Sequence, residues 1–193
     1  MSASPELSHF ISMAGYNRWM NQKIYEAAAT LPTGQFEAER GAFFGSLAGT
    51  LNHLVLADTI WLQRFAAHPM RSHALDAVRM LPVPTVLAPD AAPSIGQLLQ
   101  QRQLLDTVID NWVGELREEH LDQTLQYVRL NGERHAKRFG SVLFHFFNHQ
   151  THHRGQASTL LFQAGVDVGA TDLLVLIPEA ASQLNLTEPH API

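Results

Sequence analysis

Apolar residues recur with a period near 3.6 in four long segments of this chain, and that pattern predicts four long helices. The first spans Pro5 to Leu31, with Phe10, Met13, Ala14, Ile24, Ala27 and Ala28 on one face, and Leu31-Pro32-Thr33-Gly34 ends it. The second runs from Phe43 to around His68, behind Leu47, Leu51, Leu54, Trp61, Leu62 and Phe65. Ser94 is the expected N-cap of a third helix that reaches Glu119 and carries Leu98, Leu99, Leu105, Val108, Ile109 and Trp112. The fourth starts at Gly140-Ser141 and ends near Ala164. One stretch, Thr124 to Phe139, departs from the helical period. Leu125 to Leu130 and Glu133 to Phe139 flank Asn131-Gly132, which predicts a hairpin closed by a type I′ turn.

Between the second and third helices, residues 69–93 hold Pro69, Pro82, Pro84, Pro89 and Pro93 and are expected to form a long loop, with His68 and His73 exposed to solvent. Thr171 or Asp172 is placed to cap a short last helix through Leu176 and Ala181, and residues 187–193 read as a frayed tail. The fold class these elements define is all-α: a four-helix bundle with a short β-hairpin before the last long helix and a short C-terminal helix, in a single domain over residues 1–193.

Several residues break the apolar pattern. Asp58 falls in the middle of the second helix's apolar face, where a carboxylate requires a partner. Tyr16-Asn17-Arg18-Trp19-Met20-Asn21 is unusually polar for a helix middle, either as surface anchored by the tryptophan or as support for a buried site. The largest departure is His145-Phe146-Phe147-Asn148-His149-Gln150-Thr151-His152-His153, which concentrates four of the 11 histidines. At about 100° per residue, His149 and His153 fall about 40° and about 80° from His145, inside an apolar arc centred about 90° away, while His145 and His152 lie at its edge. Two imidazoles at i and i+4 on one helical face can share a metal ion. Core histidines bonded to neighbouring helices would show the same spacing.

Composition narrows the chemistry. The chain has 193 residues, 46% of them apolar and 16% charged, the balance of a folded protein. Its net charge of −5, with no basic cluster, gives no reason to expect nucleic-acid binding. The lack of cysteine excludes disulfides, thiolate metal sites and a cysteine nucleophile. Met1 to Pro5 lacks the basic start of a secretory signal and no apolar run reaches membrane-spanning length, so a cytoplasmic location without membrane insertion is expected. Metal arrangements are also restricted. Gln150 follows His149, so the His-Glu-x-x-His pattern is missing, and no pair of Glu-x-x-His elements supports a di-iron bundle site. A mononuclear site with few carboxylates remains.

Asn148-His149-x3-His153-Arg154-Gly155-Gln156 on a late helix resembles the signature of the DinB / YfiT-like family of metalloenzymes. Leu51-Asn52-His53-Leu54-x3-Asp58-x2-Trp61 and Tyr16-Asn17-Arg18-Trp19-x-Asn21 resemble two further family stretches, in the family's order. The resemblance implies an up-down-down-up bundle, commonly homodimeric, that holds a divalent metal ion through His53, His149 and His153. His53 rests mainly on this resemblance, because the helical wheel alone puts it at the edge of its arc.

Three neutral imidazoles leave a coordination position open, as catalytic zinc sites do, and suit zinc, nickel or iron. Asp58, Asn148 and Gln156 are the candidates to hold the ligands' second ring nitrogens. Arg154 is expected in a structural ion pair. Relatives include thiol-dependent S-transferases, which implies a low-molecular-weight thiol as cofactor and a small-molecule substrate. Metal-dependent hydrolysis, with Asp58 or a spare histidine as base, and a non-catalytic metal-binding stress-response role are the alternatives.

Overall fold

Three of the four long helices begin at a serine whose hydroxyl accepts one of the first free backbone N–H groups. A computed structural model describes residues 4–89 and 91–179. In it Ser4 caps α1 (Pro5–Ala29) and Ser46 caps α2 (Leu47–Ala66). Ser94 caps α4 (Ile95–Glu115) through a capping box with Gln97. Helix α6 (Phe139–Gln163) grows directly out of the hairpin formed by β1 (Thr124–Val128) and β2 (Arg134–Arg138), which pair antiparallel.

Side-chain contacts fix the helix directions. Early α1 meets early α6, since Glu6 bonds Arg138 and Phe10 packs on Phe147, so these two run parallel. Arg18 pairs with Asp110, and Asn21 bonds Asp106, which makes α4 antiparallel to α1. On the far side, Asp58 meets Arg102 and Phe65 stacks on Trp112, so α2 and α4 run together. Trp61 lies against His145 and His53 against His153, and α2 therefore opposes α6. The result is an up-down-down-up bundle. Phe10, Leu51, Phe65, Leu105, Trp112, Phe139 and Phe146 fill its interior.

Several sequence expectations are corrected. The stretch 69–93 is not structureless: His73–Leu75 forms a 3-10 turn that leads into α3 (Asp76–Arg79), and Leu75 and Val78 are fully buried. His68 is buried instead of exposed, because its Nδ1 accepts the Met70 N–H and its ring packs on Phe139. His73 is exposed as expected. Helix α4 stops at Glu115, and Leu116 and Arg117 turn extended before α5 (Glu118–Leu121). The buried His120 ring takes the Arg117 N–H at 3.0 Å and holds the break, which Gly114 marks in the sequence one residue before the helix ends.

The hairpin turn is also displaced. Gly132 N–H bonds the Arg129 carbonyl at 2.9 Å, so Leu130 and Asn131 are the central residues and Gly132, at φ 85°, follows them. That is the three-residue loop in which glycine takes the left-handed position after the turn. After α6, the expected last helix is a 3-10 turn, Leu173–Leu176, with Asp172 before it. Ala181 and the tail 187–193 lie outside the described residues. Among the described residues no helix is long and apolar enough to cross a membrane.

Charge is buried at the centre of the bundle. Arg102, 2% exposed, bonds Asp58 on α2 and lies 3.0 Å from Asp106 one turn along its own helix. Burial works against the charge on Arg102, but Asp106 and Asp58 outweigh it and hold its pKa above the ordinary arginine range. Burial pushes both carboxylates up, and Arg102 opposes that shift. Removing one partner of such a cluster leaves uncompensated charge behind. An Arg102→Met substitution is therefore expected to cost about 3–5 kcal/mol in urea unfolding at neutral pH. Without the guanidinium the carboxylates titrate higher in the folded than in the unfolded chain, so the deficit should narrow as the pH falls. A deficit independent of pH would contradict this account.

Candidate metal centre

Helices α2 and α6 bring His53, His149 and His153 together, so that one nitrogen of each lies within 4.8 Å of the others. His149 Nε2 lies 3.3 Å from His53 Nε2 and 3.1 Å from His153 Nε2. Two of the three outward nitrogens are held separately, while among the described residues His149 Nδ1 is buried without a partner. His53 Nδ1 donates to the Leu87 carbonyl at 3.0 Å, and His153 Nδ1 donates to Gln156 Oε1 at 2.7 Å. A carbonyl oxygen only accepts, so both rings carry their proton on Nδ1 and turn a bare Nε2 lone pair toward His149.

These three nitrogens fit a cation. One proton on His149 Nε2 can satisfy a single neighbour and leaves the other lone pair facing it. Four ligands at zinc–nitrogen distances are separated by roughly 3.3 Å along a tetrahedral edge, close to the spacing found here. Burial, then the neighbouring His153 and His53, pushes the His149 pKa down to about 3, and burial also lowers His53 and His153. All three are neutral near pH 7, the form a metal ligand requires.

The surroundings hold the rings in place. Phe44 stacks on His53 at 4.0 Å between centroids and meets His153 edge-on at 5.5 Å. It reaches them because Gly49, one turn before His53, lets the Phe44 backbone lie against α2 where a Cβ would overlap its carbonyl oxygen. Under the site, Gln150 Nε2 donates to Asp58 Oδ2 at 2.8 Å, and the same oxygen accepts from Arg102. Arg154 bonds Asn17, and Asn17 and Asn21 both donate to Asp106.

Of the three supporting residues named from sequence, Gln156 holds His153 directly. Asp58 is buried as the pattern required, but its partners are Arg102 and Gln150, not a histidine. Asn148 is exposed and makes no hydrogen bond to the three rings, since its position points α6 outward. Arg154 is buried in bonds to Asn17 and Thr151 above the Tyr16 ring, so an uncharged amide takes the place of the expected ion-pair partner. Asn17 supports the buried network while Arg18 pairs at the surface. His145 and His152 stay outside the cluster, both exposed.

Sequence reasoning missed Phe44, the Leu87 carbonyl and Arg102. The apolar pattern draws Phe43-Phe44 into the helix, although Ser46 with Gly49 marks its true start. Arg102 and Asp106 lie on the arc of Leu98, Leu105 and Ile109, so their burial was available from the wheel. Nothing local points to Leu87.

A bundle that converges three neutral imidazoles on one point, with no fourth His, Asp or Glu in the cluster among the described residues, defines the class of helical proteins with an open three-histidine site. Comparison with known proteins gives the family. The DinB family model matches residues 1–185, and the chain belongs to that family. It is 27% identical over 158 residues to Protein DinB of Bacillus subtilis (strain 168), an alignment that covers 81% of this chain and 87% of that protein. No solved structure shows significant similarity.

Gln156→Leu removes the acceptor that orients His153 and is expected to weaken divalent-metal affinity about 10–100-fold, measured by competition with a chelator. In the metal-free protein, His149 titrates near 3 when folded and near 6.5 when unfolded. The unfolded state thus takes the proton first, and stability should fall as the pH drops through that window. His149→Gln should flatten that slope in a pH series of unfolding curves; an unchanged slope would contradict the shift.

Proposed function

We propose that this protein is a metal-dependent enzyme in which His53, His149 and His153 hold one divalent ion, zinc, nickel or iron, through their Nε2 atoms. The observation that carries the reading is the convergence of three Nε2 atoms, with the tautomers of His53 and His153 set by Leu87 and Gln156. Such an ion supplies Lewis acidity at its open position, lowering the pKa of a bound thiol or water. The chain has no cysteine, so a sulfur nucleophile must be a separate low-molecular-weight thiol. The reaction we favour is S-transfer from that thiol to a small electrophile, by a cytoplasmic homodimer. The protein's own part is to keep the three rings neutral and oriented, with Phe44 covering one side of the site.

Hydrolysis is the less supported chemistry. It needs a general base, and Asp58 is enclosed by Arg102 and Gln150. His145, one turn from His149, and His152, beside His153, are the remaining candidates. A non-catalytic, structural ion would call for a closed site with four protein ligands, against the three found here.

Metal analysis of the purified protein should find about one divalent ion per chain, lost in His149→Ala. The loaded protein should then consume a low-molecular-weight thiol in the presence of electrophiles. Equal sub-stoichiometric metal in both proteins would refute the site. Tightly bound metal without thiol dependence would favour the non-catalytic role.

A further inference from the structure

A groove opens beside His149. One cavity of about 390 Å³ touches the site at His149 and Leu87 and extends past Trp61 and His145 to Arg64 and Arg129. A second, of about 310 Å³, shares Trp61, Arg64, Arg129 and His145 and adds Lys137. Among the described residues no carboxylate lines either one. On a chain with a net charge of −5, this is a local reversal of sign.

Arg64 is the groove's most enclosed cation. Its guanidinium lies over the Trp61 ring at 4.5 Å and the Tyr127 ring at 4.9 Å, and one N–H donates to the Val128 carbonyl at 3.0 Å. The two rings hold the guanidinium in place and, among the described residues, leave donors at its edge without a partner, the arrangement that recognises a planar carboxylate. Arg129 stands at the rim, where its contact with Glu133 is long, 3.4 Å, and exposed. Ala57, Ile60 and Leu130 give the groove apolar walls.

The spacing sets a length. Arg64 follows His53 by 11 residues on one helix, which is about 16 Å along its axis. The arginine side chain leans back toward the helix N-terminus and recovers part of that distance. The guanidinium therefore lies on the order of 10 Å from the histidine nitrogens.

We propose that this groove binds the carboxylate end of an elongated small molecule whose other end is the donor group at the three-histidine site. Arg64 receives the carboxylate, Arg129 reinforces it from the rim, and the apolar walls take the intervening chain. The inference rests on the metal-binding reading of His53, His149 and His153.

The test uses the full chain loaded with cobalt(II) and titrated with terminal mercaptopropionate, mercaptohexanoate and mercaptooctanoate, each beside the mercaptoalcohol of equal length, while the thiolate–cobalt absorption is followed. The long acids should bind at least about 10-fold tighter than their alcohols, because a hydrogen bond to a charged partner is worth that much. The shortest pair should bind alike. Arg64→Gln should abolish the acid's advantage and leave alcohol binding unchanged. Arg129→Gln, an exposed substitution without a packing role, should reduce the advantage if Arg64→Gln fails to fold. Acids and alcohols binding alike at every length, or an advantage untouched by Arg129→Gln, would overturn the groove and leave the metal reading standing. Failure of the wild-type chain to hold cobalt would overturn both.

Discussion

One buried carboxylate sets the register on which the rest depends. Asp58 stands on α2 between Arg102 of α4 and Gln150 of α6. Gln150 is the neighbour of His149, and Asp58 lies five residues beyond His53. The bonds to Asp58 Oδ2 therefore also fix where α2 sits along α6, and that alignment brings His53 opposite His149 and His153. A fully buried carboxylate is costly to leave unpaired, so a slipped register carries a penalty that apolar packing alone would not impose. The position that first looked like a direct support for a ligand acts instead by holding two helices in step.

The same network extends to the other two helices. Arg102 meets Asp106, Asp106 accepts from Asn17 and Asn21 of α1, and Asn17 accepts from Arg154 on α6. All four long helices thus contribute polar groups to a single buried layer. Beside that layer lie imidazoles kept neutral by burial, and next to them a groove lined by Arg64 and Arg129. The protein separates its two kinds of charge: a matched set inside that orders the bundle, and a predominantly cationic set along the groove.

Much of this was legible in the sequence because it is local. Helical periodicity, the Ser94 cap, and His149 with His153 on one arc all follow from residues within a few turns of one another. What escaped depends on residues distant in the chain or on backbone. His53 joins the cluster across 96 positions, and only a family resemblance named it in advance. Leu87 contributes a carbonyl, which every residue possesses, so no side-chain pattern could reveal it. His68 appeared to belong to a loop, and its burial follows from Phe139, far along the chain. Arg102 and Asp106 differ: their arc is readable from the sequence, although charged residues in a helix are usually solvated.

In the function proposed, three imidazoles, and no other protein group, hold one ion at the α2–α6 seam. X-ray absorption on the zinc-loaded protein tests it most directly. The account predicts three imidazole nitrogens at about 2.0–2.1 Å with the remaining position filled by water, or by sulfur once a thiol is added, and one imidazole fewer in His53→Ala. Four protein ligands in the wild type, or a spectrum that His53→Ala leaves unchanged, would contradict it.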